Sequence, residues 1–258
     1  MRRKTAWLRL RSTPHYRREA FTLGLERLGY RVGFGSGAPA PGDVLVIWNR
    51  KHDDHRLALQ FEAIDAPVIV AENAYITPPS CKKMFALARS HHLGAGQWIE
   101  SGPERWASFG IDLAPWRKTG DHILVLPQRG IGEPGVAMPL VWPRDIRRDL
   151  PKATKRPIRF RVHPGIHTSI PIEADLAGAH CVVTWASGGG VKALAAGVPV
   201  FFGLPSWIGA GAAVRGFADL EAPRMDDAAR LRVFERLAWA QAFPEEIASG
   251  EALQRLIG

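Results

Sequence analysis

The chain has 258 residues, of which 46% are hydrophobic and 23% are charged, and its formal net charge is +9. This composition excludes disordered, collagen-like and membrane-spanning proteins and indicates a globular protein with an ordinary core. The two cysteines, Cys81 and Cys181, lie far apart and outside any C-x-x-C motif, which argues against a disulfide framework and a structural zinc site.

Apolar runs rich in Val and Ile alternate with amphipathic stretches, which predicts strands and helices in turn. The first half predicts a strand over 6–10, a helix over 17–28, strands over 30–34 and 44–47, a helix over 53–64 and a strand over 68–71. Residues 78–117 break this rhythm, and we interpret them as functional loops with one short helix.

The second half repeats the alternation. It predicts strands over 123–126, 158–162, 181–185 and 200–202, helices near 142–150 and over 189–196, and closing helices over 226–240 and 244–256. Continuous apolar strands joined by helices are typical of a parallel sheet covered on both faces. The sequence therefore predicts an α/β fold of two facing doubly wound, Rossmann-like units, with an N-terminal domain over 1–118 and a C-terminal domain over 119–258.

Polar residues follow the predicted strands of the N-terminal domain, where open α/β sheets bind their ligands. Glu72 is the candidate general base, because a carboxylate after a buried strand is costly unless it is used or paired. An ion pair with a nearby Arg is the alternative for Glu72, and a helix cap is the alternative for Asn49. The other candidate ligand-binding residues of this domain are Trp48, Asn49, Arg50, Asn73, Tyr75 and His91.

Two groups of histidines need separate interpretations. His91 and His92 precede a glycine-rich stretch, and His92 is the second candidate base because imidazole titrates near neutral pH; a packed loop histidine is the alternative. The run His52-Asp53-Asp54-His55 resembles a metal site, but successive residues at a helix start point in different directions, which favours helix capping. We therefore predict no bound metal.

The C-terminal domain carries the pattern of a phosphate site. Ser187 and the glycines after it open the helix over 189–196, where free N–H groups and the positive end of the helix dipole attract a phosphate. Neither a P-loop nor a G-x-G-x-x-G motif is present, which argues against an ATPase or a simple dinucleotide site. The candidate ligand-binding residues of this domain are Gln128, Arg129, Gly130, Arg161, His163, Pro164, Thr184, Ser187, Gly188, Gly189 and Lys192.

Several motifs within residues 156–205 resemble the nucleotide-binding half of GT-B glycosyltransferases: His163-Pro164 after a strand, Ser187 with its glycines, Lys192-Ala193-Leu194 and Gly197-Val198-Pro199-Val200. They are most similar to those of capsule polysaccharide 3-deoxy-manno-octulosonate (Kdo) transferases, in a small form like those of phage genomes. The resemblance implies that His163 and Ser187 contact the donor phosphate and that Glu72, at the place of an E-D-G motif, is the base. Two positions depart from the family: Val162 replaces a proline, and Lys192 replaces a glutamate that often binds the donor ribose.

The resemblance implies a metal-independent enzyme that moves a sugar from a nucleotide sugar to a hydroxyl and uses no other cofactor. It implies that the candidate ligand-binding residues of the C-terminal domain are donor-binding and that those of the N-terminal domain are acceptor-binding. The positive charge and the arginine-rich N-terminus favour a hydroxymethylated base of phage DNA as the acceptor, whereas the family favours a surface polysaccharide or glycolipid. A non-catalytic nucleic-acid-binding protein on a degenerate GT-B fold is the third interpretation. A basic N-terminus without an apolar signal segment predicts a cytoplasmic location, that of the host if a phage encodes the chain.

Overall fold

A computed structural model of the chain describes residues 2–92, 95–99, 102–163 and 171–258. Its first elements are β1 (Thr5–Arg9), α1 (Arg18–Arg27), β2 (Arg31–Phe34), β3 (Val44–Trp48), α2 (His52–Glu62), β4 (Val68–Asn73), β5 (Phe85–Arg89) and α3 (Glu104–Ser108). They are followed by β6 (His122–Leu126), α4 (Trp142–Ala153), β7 (Ile158–Phe160), α5 (Ile172–Leu176), β8 (Ala179–Thr184), α6 (Gly188–Ala195) and β9 (Val200–Phe202). The last elements are β10 (Val214–Arg215), α7 (Asp227–Trp239), β11 (Gln241–Ala242), α8 (Pro244–Ser249) and α9 (Glu251–Ile257).

The chain forms two compact units, and its C-terminus belongs to the first of them. Unit 1 contains Met1–His92, Gly96–Phe109 and Arg236–Gly258, and unit 2 contains Leu93–Ala95 and Gly110–Glu235. The sequence predicts one boundary after residue 118, with everything beyond it in a single domain. The structure differs because β11 pairs with β5 and α8 packs on α1, which are both elements of unit 1.

Unit 1 is built on a sheet of six strands in the order β11-β5-β4-β3-β1-β2. Strands β1 to β4 pair in parallel, as the alternation of strands and helices predicts. β5 runs antiparallel to β4, and β11 runs antiparallel to β5. The carboxyl ends of β1, β3 and β4 therefore share one edge of the sheet with the start of β5.

The central strand β3 is buried on both faces because its side chains alternate between two apolar layers. Val44 and Val46 pack into a core with Phe21 of α1. Leu45 and Ile47 pack into a second core on the opposite face, formed with α2. The continuous apolar run of β3 is thus explained by helices on both sides of the sheet.

The structure corrects two predictions in unit 1. The segment predicted as loops contains β5, whose apolar run from Met84 to Ala88 is buried between β4 and β11. Such a short run is hard to assign from sequence, and β11, one of its two antiparallel partners, lies more than 150 residues away in the chain. The helix predicted over 244–256 is two helices, because Gly250 has a φ of 90° and ends α8 in the left-handed conformation.

Unit 2 has a sheet in the order β10-β9-β8-β6-β7, and all of its strand pairs are parallel. One stripe of α4, formed by Trp142, Ile146 and Leu150, packs on the strand residues Ile123 and Cys181. The predicted doubly wound pattern therefore describes this sheet well.

Three details of unit 2 differ from the sequence prediction. β7 ends at Phe160, so Arg161 and Val162 follow the strand instead of belonging to it. The short elements α5 and β10 are not predicted. As for membranes, none of the helices in the described ranges combines the length and the apolar character that a crossing requires.

Candidate functional site

A cavity of about 420 Å³ lies in unit 2, where β6 and β7 end and α6 begins. Its volume is within the range of about 300–1,000 Å³ that is typical of ligand sites. The structure brings together here a group of the predicted donor-binding residues, namely Arg161, His163, Ser187, Gly189 and Lys192. They meet because the carboxyl ends of neighbouring parallel strands lie at the same edge of a sheet.

Ser187 caps the helix that borders this cavity. Its Oγ accepts a hydrogen bond from the backbone N–H of Gly189 at 3.1 Å, and its backbone is extended, as an N-cap residue requires. The Ser187 N–H donates to Thr184 Oγ1 at 3.1 Å, and that hydroxyl donates to the carbonyl of Leu126 at 2.9 Å. The hydroxyl of Thr184 thus ties the start of α6 to the end of β6.

The structure gives Gln128 and Thr184 a different position from the one predicted. Both are predicted to touch the donor nucleotide. Thr184 is completely buried, and Gln128 Oε1 accepts a hydrogen bond from the backbone N–H of Ala186 at 2.8 Å. Both side chains therefore hold the turn before α6 through hydrogen bonds to its backbone.

Close packing is a second reason for the glycines at the start of α6, besides the phosphate binding that the sequence predicts. A Cβ on Gly189 would lie 2.9 Å from side-chain carbons of Leu126 and Ile172, and one on Gly190 would lie 2.9 Å from the Trp207 ring. Side chains at these positions would overlap their neighbours. Gly188 is the first residue of α6, directly after its cap.

Basic side chains surround the cavity. Arg161 forms an ion pair with Asp175 of α5, and Lys192 is exposed one turn along α6. Desolvation, and next the positive charge of Arg129, lower the pKa of His163, so its imidazole is neutral at pH 7. Arg129 itself is exposed and lies outside the cavity lining, in the turn after β6 that Gly130 continues with a φ of 67°.

Sequence reasoning missed the contribution of α5 to this cavity. Ile172 and Glu173 line it, and Glu173 places an exposed carboxylate among the basic groups. The signal was weak, because α5 has five residues and follows a stretch with the composition of a loop. Pro164, a predicted donor contact, lies outside the described residues.

In unit 1, the candidate base Glu72 lies within β4 and is half-buried, opposite Ala86 of β5. The next residue, Asn73, is exposed at the end of the strand, where its Oδ1 accepts a hydrogen bond from Lys83 Nζ at 3.1 Å. Trp48 and Asn49 are both half-buried at the end of β3, and Asn49 has a φ of 56°. Because α2 starts only at His52, Asn49 is not its cap.

Two predicted acceptor-binding residues are interior residues. The guanidinium of Arg50 is 1% exposed and donates to both carboxylate oxygens of Glu62 at 2.5 and 2.8 Å, to the carbonyl of Ser90 at 2.6 Å and to His55 Nδ1 at 3.1 Å. Tyr75 is also buried, and desolvation, followed by the charge of Glu72, raises its pKa well above the usual value. The structure therefore corrects the prediction that Arg50 and Tyr75 present their side chains to an acceptor.

The histidines predicted to be functional also differ in their burial. His92 is 2% exposed, and His91 is half-buried. The side chains of the 52–55 run do not cap α2, which starts without a side-chain cap; Asp53 pairs with Arg56 and Asp54 with Arg9. Within the ranges that the structure describes, no three His, Cys, Asp or Glu side chains lie close enough together to hold a metal ion.

No protein-family model matches the chain, and no curated protein matches it in sequence. Among solved structures, the chain is similar to the β-Kdo 2,4 transferase of Thermosulfurimonas dismutans KpsC, with a TM-score of 0.54, 14% identity and coverage of 91% of this chain and 90% of that one. It is also similar to the β-Kdo 2,7 transferase of the same KpsC, with a TM-score of 0.56, 13% identity and coverage of 98% and 99%. At such low identity the likeness shows the fold alone: over nearly its whole length, the chain has a two-unit α/β fold of the GT-B-like kind.

Proposed function

We propose that the chain is a glycosyltransferase that binds the nucleotide part of its sugar donor in the unit 2 cavity. The observation that carries this proposal is the cavity itself, where a capped helix N-terminus meets Arg161, His163 and Lys192. Backbone N–H groups at a helix start and basic side chains attract a phosphate together. The fold shared with two Kdo transferases supports a donor of the Kdo-nucleotide class.

The donor phosphate would lie beside Ser187 at the start of α6, at the positive end of the helix dipole. The N–H groups of Gly189 and Gly190 already donate to the side chain and to the backbone carbonyl of Ser187. Lys192 replaces the glutamate that binds ribose in the resembled family, so it would contact the phosphate instead. Glu173 supplies a carboxylate from α5, across the cavity lining. A carboxylate accepts hydrogen bonds from hydroxyls, so Glu173 would take the ribose or sugar hydroxyls that Lys192 cannot.

Transfer breaks the bond between the anomeric carbon and a phosphate oxygen and forms a bond to the acceptor oxygen. The proton of the acceptor hydroxyl goes to Glu72, the proposed base, or to His92, the second candidate. The negative charge of the leaving nucleotide is balanced by Arg161 and Lys192, and by His163 once it takes a proton. This mechanism requires no metal ion.

For the acceptor, we propose a saccharide rather than DNA. Arg2 and Arg9 of the arginine-rich N-terminus form ion pairs with Asp43 and Asp54, so part of that charge is balanced within the chain. Hydroxymethylated phage DNA remains the second candidate because of the net charge of +9. DNA binding would weaken steeply with salt, by a log–log slope of about −0.9 for each neutralised phosphate, whereas saccharide binding would not.

The test of the donor site is a thermal-shift titration with cytidine monophosphate, uridine diphosphate and other nucleotides. At 100 times its dissociation constant, a ligand stabilises the folded state by about 2.7 kcal/mol. His163→Ala should weaken the bound nucleotide about tenfold, or about 1.4 kcal/mol, and His52→Ala, an exposed histidine of unit 1, is the matched control. If no nucleotide stabilises the protein, the degenerate, non-catalytic interpretation replaces this proposal.

The test of the base is Glu72→Gln, which keeps the shape of the side chain and removes its ability to take a proton. Sugar transfer should fall by about 10²- to 10⁴-fold while nucleotide affinity stays the same. His92→Gln, measured beside it, tests the second candidate. Full activity in Glu72→Gln would remove Glu72 from the mechanism.

A further inference from the structure

One wall of the donor cavity is formed by α5, a helix of five residues. Its first two residues, Ile172 and Glu173, line the cavity, and the Ile172 side chain packs against the first turn of α6 at Gly189. The carboxylate of Asp175, two residues further along α5, accepts a hydrogen bond from Nη1 of Arg161 and forms an ion pair with it. Asp175 lies outside the described cavity lining, and its contact with the site is made through Arg161.

Contacts from distant parts of the chain hold α5 in its place. The carbonyl of Asp175 lies 3.3 Å from Nε2 of the buried His122, and because a carbonyl oxygen can only accept, this nitrogen carries the proton. Nη1 of Arg117 donates to the carbonyls of Leu176 and Ala179, at 2.5 and 2.9 Å. A single turn of helix is not stable by itself. The position of Asp175 is therefore fixed by these contacts with the start of β6 and with the segment before it.

Arg161 is held at both of its ends. Its backbone N–H donates to the carbonyl of Val125 in β6 at 3.0 Å, and its guanidinium is bound by Asp175. An arginine side chain that is fixed before a ligand binds loses less conformational entropy on binding than a mobile one. The pair with Asp175 therefore prepares Arg161 for an anion in the cavity.

We propose that Asp175 is a positioning residue of the donor site, which holds the Arg161 guanidinium in the orientation that binds the donor phosphate. This inference rests on the proposed transferase function, because it takes the ligand of the cavity to be a nucleotide. A guanidinium carries five N–H donors, so one such group can bind a carboxylate and a phosphate at the same time. Asp175 thus acts on the phosphate through Arg161.

The negative charge of Asp175 also has an opposite effect, since it repels the anion that Arg161 attracts. The Asp175 side chain is 37% exposed, so water and salt screen its charge. The orientation of the guanidinium does not depend on such screening, and we expect its loss to outweigh the loss of repulsion when Asp175 is truncated. Asparagine separates the two effects, because its Oδ1 still accepts a hydrogen bond while the side chain carries no charge.

The experiment is a double-mutant cycle on nucleotide affinity. Cytidine monophosphate and uridine diphosphate are titrated by calorimetry into the wild-type protein, Asp175→Ala, Asp175→Asn, Arg161→Met and the double variant of Arg161→Met with Asp175→Ala. Asp175→Ser is a second truncation, which keeps the test possible if Asp175→Ala does not fold. Asp149→Ala is the matched control, because Asp149 is also a partly exposed aspartate of unit 2 and pairs with Arg148.

We expect Asp175→Ala to weaken nucleotide binding by about three- to tenfold, whereas Asp175→Asn and Asp149→Ala bind at least about half as tightly as the wild type. In the Arg161→Met protein, removing Asp175 should not weaken binding further, because Asp175 acts through Arg161. Unchanged or tighter binding in Asp175→Ala, or an equal loss in Asp175→Asn, would overturn the proposal. So would an equal loss from Asp175→Ala with and without Arg161, which would show that Asp175 only supports the structure of α5.

A measurement without nucleotide separates this inference from the proposed function. The Nε–H signal of Arg161, assigned by its absence in Arg161→Met, is followed by NMR relaxation in the free protein. It should report a rigid side chain in the wild type and in Asp175→Asn and a mobile one in Asp175→Ala. A signal that does not differ between the wild type and Asp175→Ala would overturn the positioning role even if nucleotides bind. A rigid Arg161 that Asp175→Ala releases, with no nucleotide bound by the wild type, would overturn the proposed function and leave the effect of Asp175 on Arg161 in place.

Discussion

Arg50 and Arg161 hold similar positions in the two units, since each comes shortly after a parallel strand, yet they differ in surroundings. Arg50 follows β3 and is buried in a network with Glu62, Ser90 and His55. Arg161 follows β7 and lines the cavity while it pairs with Asp175. The place of an arginine after a strand therefore does not decide its role; the groups that other segments bring to it do.

Replacing these two arginines tests the comparison most strongly. Arg50→Met should lower the free energy of unfolding by about 3–5 kcal/mol, because it removes a buried guanidinium and leaves the partly buried Glu62 carboxylate and Ser90 carbonyl without their partner. Arg161→Met should change stability much less, since Asp175 is partly exposed, and should weaken nucleotide binding instead. Urea denaturation measures the first effect and a nucleotide titration the second.

Arg56→Met is the control, because Arg56 and Asp53 form an ion pair with side chains that are 77% and 74% exposed. Pairs of this kind contribute about 0–1 kcal/mol. If Arg50→Met were no more destabilising than Arg56→Met, the assignment of Arg50 as a structural residue would be wrong.

Replacing one glycine in each unit by alanine gives the second-largest expected effect on stability. Gly29 of unit 1 and Gly197 of unit 2 have positive φ values of 84° and 71°. A Cβ on Gly29 would meet nothing within 4 Å, whereas one on Gly197 would lie 2.0 Å from the carbonyl oxygen of Pro115. Gly29→Ala should cost about 1–2 kcal/mol from backbone strain alone. Gly197→Ala should cost about 1–3 kcal/mol more, because the overlap adds to the strain.

Thermal and urea unfolding of the two alanine variants measures this difference. Equal losses of stability in both variants would show that the G-V-P-V stretch of unit 2 accommodates a Cβ at Gly197 without the expected overlap. The same result would weaken the argument that glycines in this region are needed for close approach.

The smallest effect concerns proton uptake at His163. Its pKa is below the usual value of 6.5, because desolvation and the charge of Arg129 disfavour the charged imidazole. A bound phosphate group favours the charged form, so its pKa rises on binding and the site takes up a proton. Nucleotide affinity should therefore increase a few-fold as the pH falls from 8 towards 6.

Calorimetric titration in buffers with different ionisation enthalpies counts the protons taken up. His163→Ala should remove the uptake, and His52→Ala should retain it. A donor whose phosphate is a diester is the better ligand, because a terminal phosphate has its own pKa of about 6. An affinity that falls with decreasing pH would contradict the placement of His163 beside the phosphate.

The sequence predicted the site in unit 2 better than the site in unit 1. Ser187, Gly189 and Lys192 are close in the chain, and a helix cap is recognisable from a few neighbouring residues. In unit 1, the start of β5 brings Lys83 to Asn73, and β5 itself is missed because its run is short and one of its two strand partners, β11, lies near the C-terminus.

By itself, the sequence determined the alternation of strands and helices, the parallel strands β1–β4 and the parallel sheet of unit 2, and the capped helix that borders the cavity. Each of these depends on residues within about one helix or strand of one another. Only the tertiary structure decided which polar residues are buried and which are accessible. Arg50 is interior because Ser90, 40 residues later, accepts its hydrogen bond, and the Tyr75 segment is fixed by Gln241, 166 residues away. Burial of a charge or a hydroxyl depends on such distant partners, and no local pattern records them.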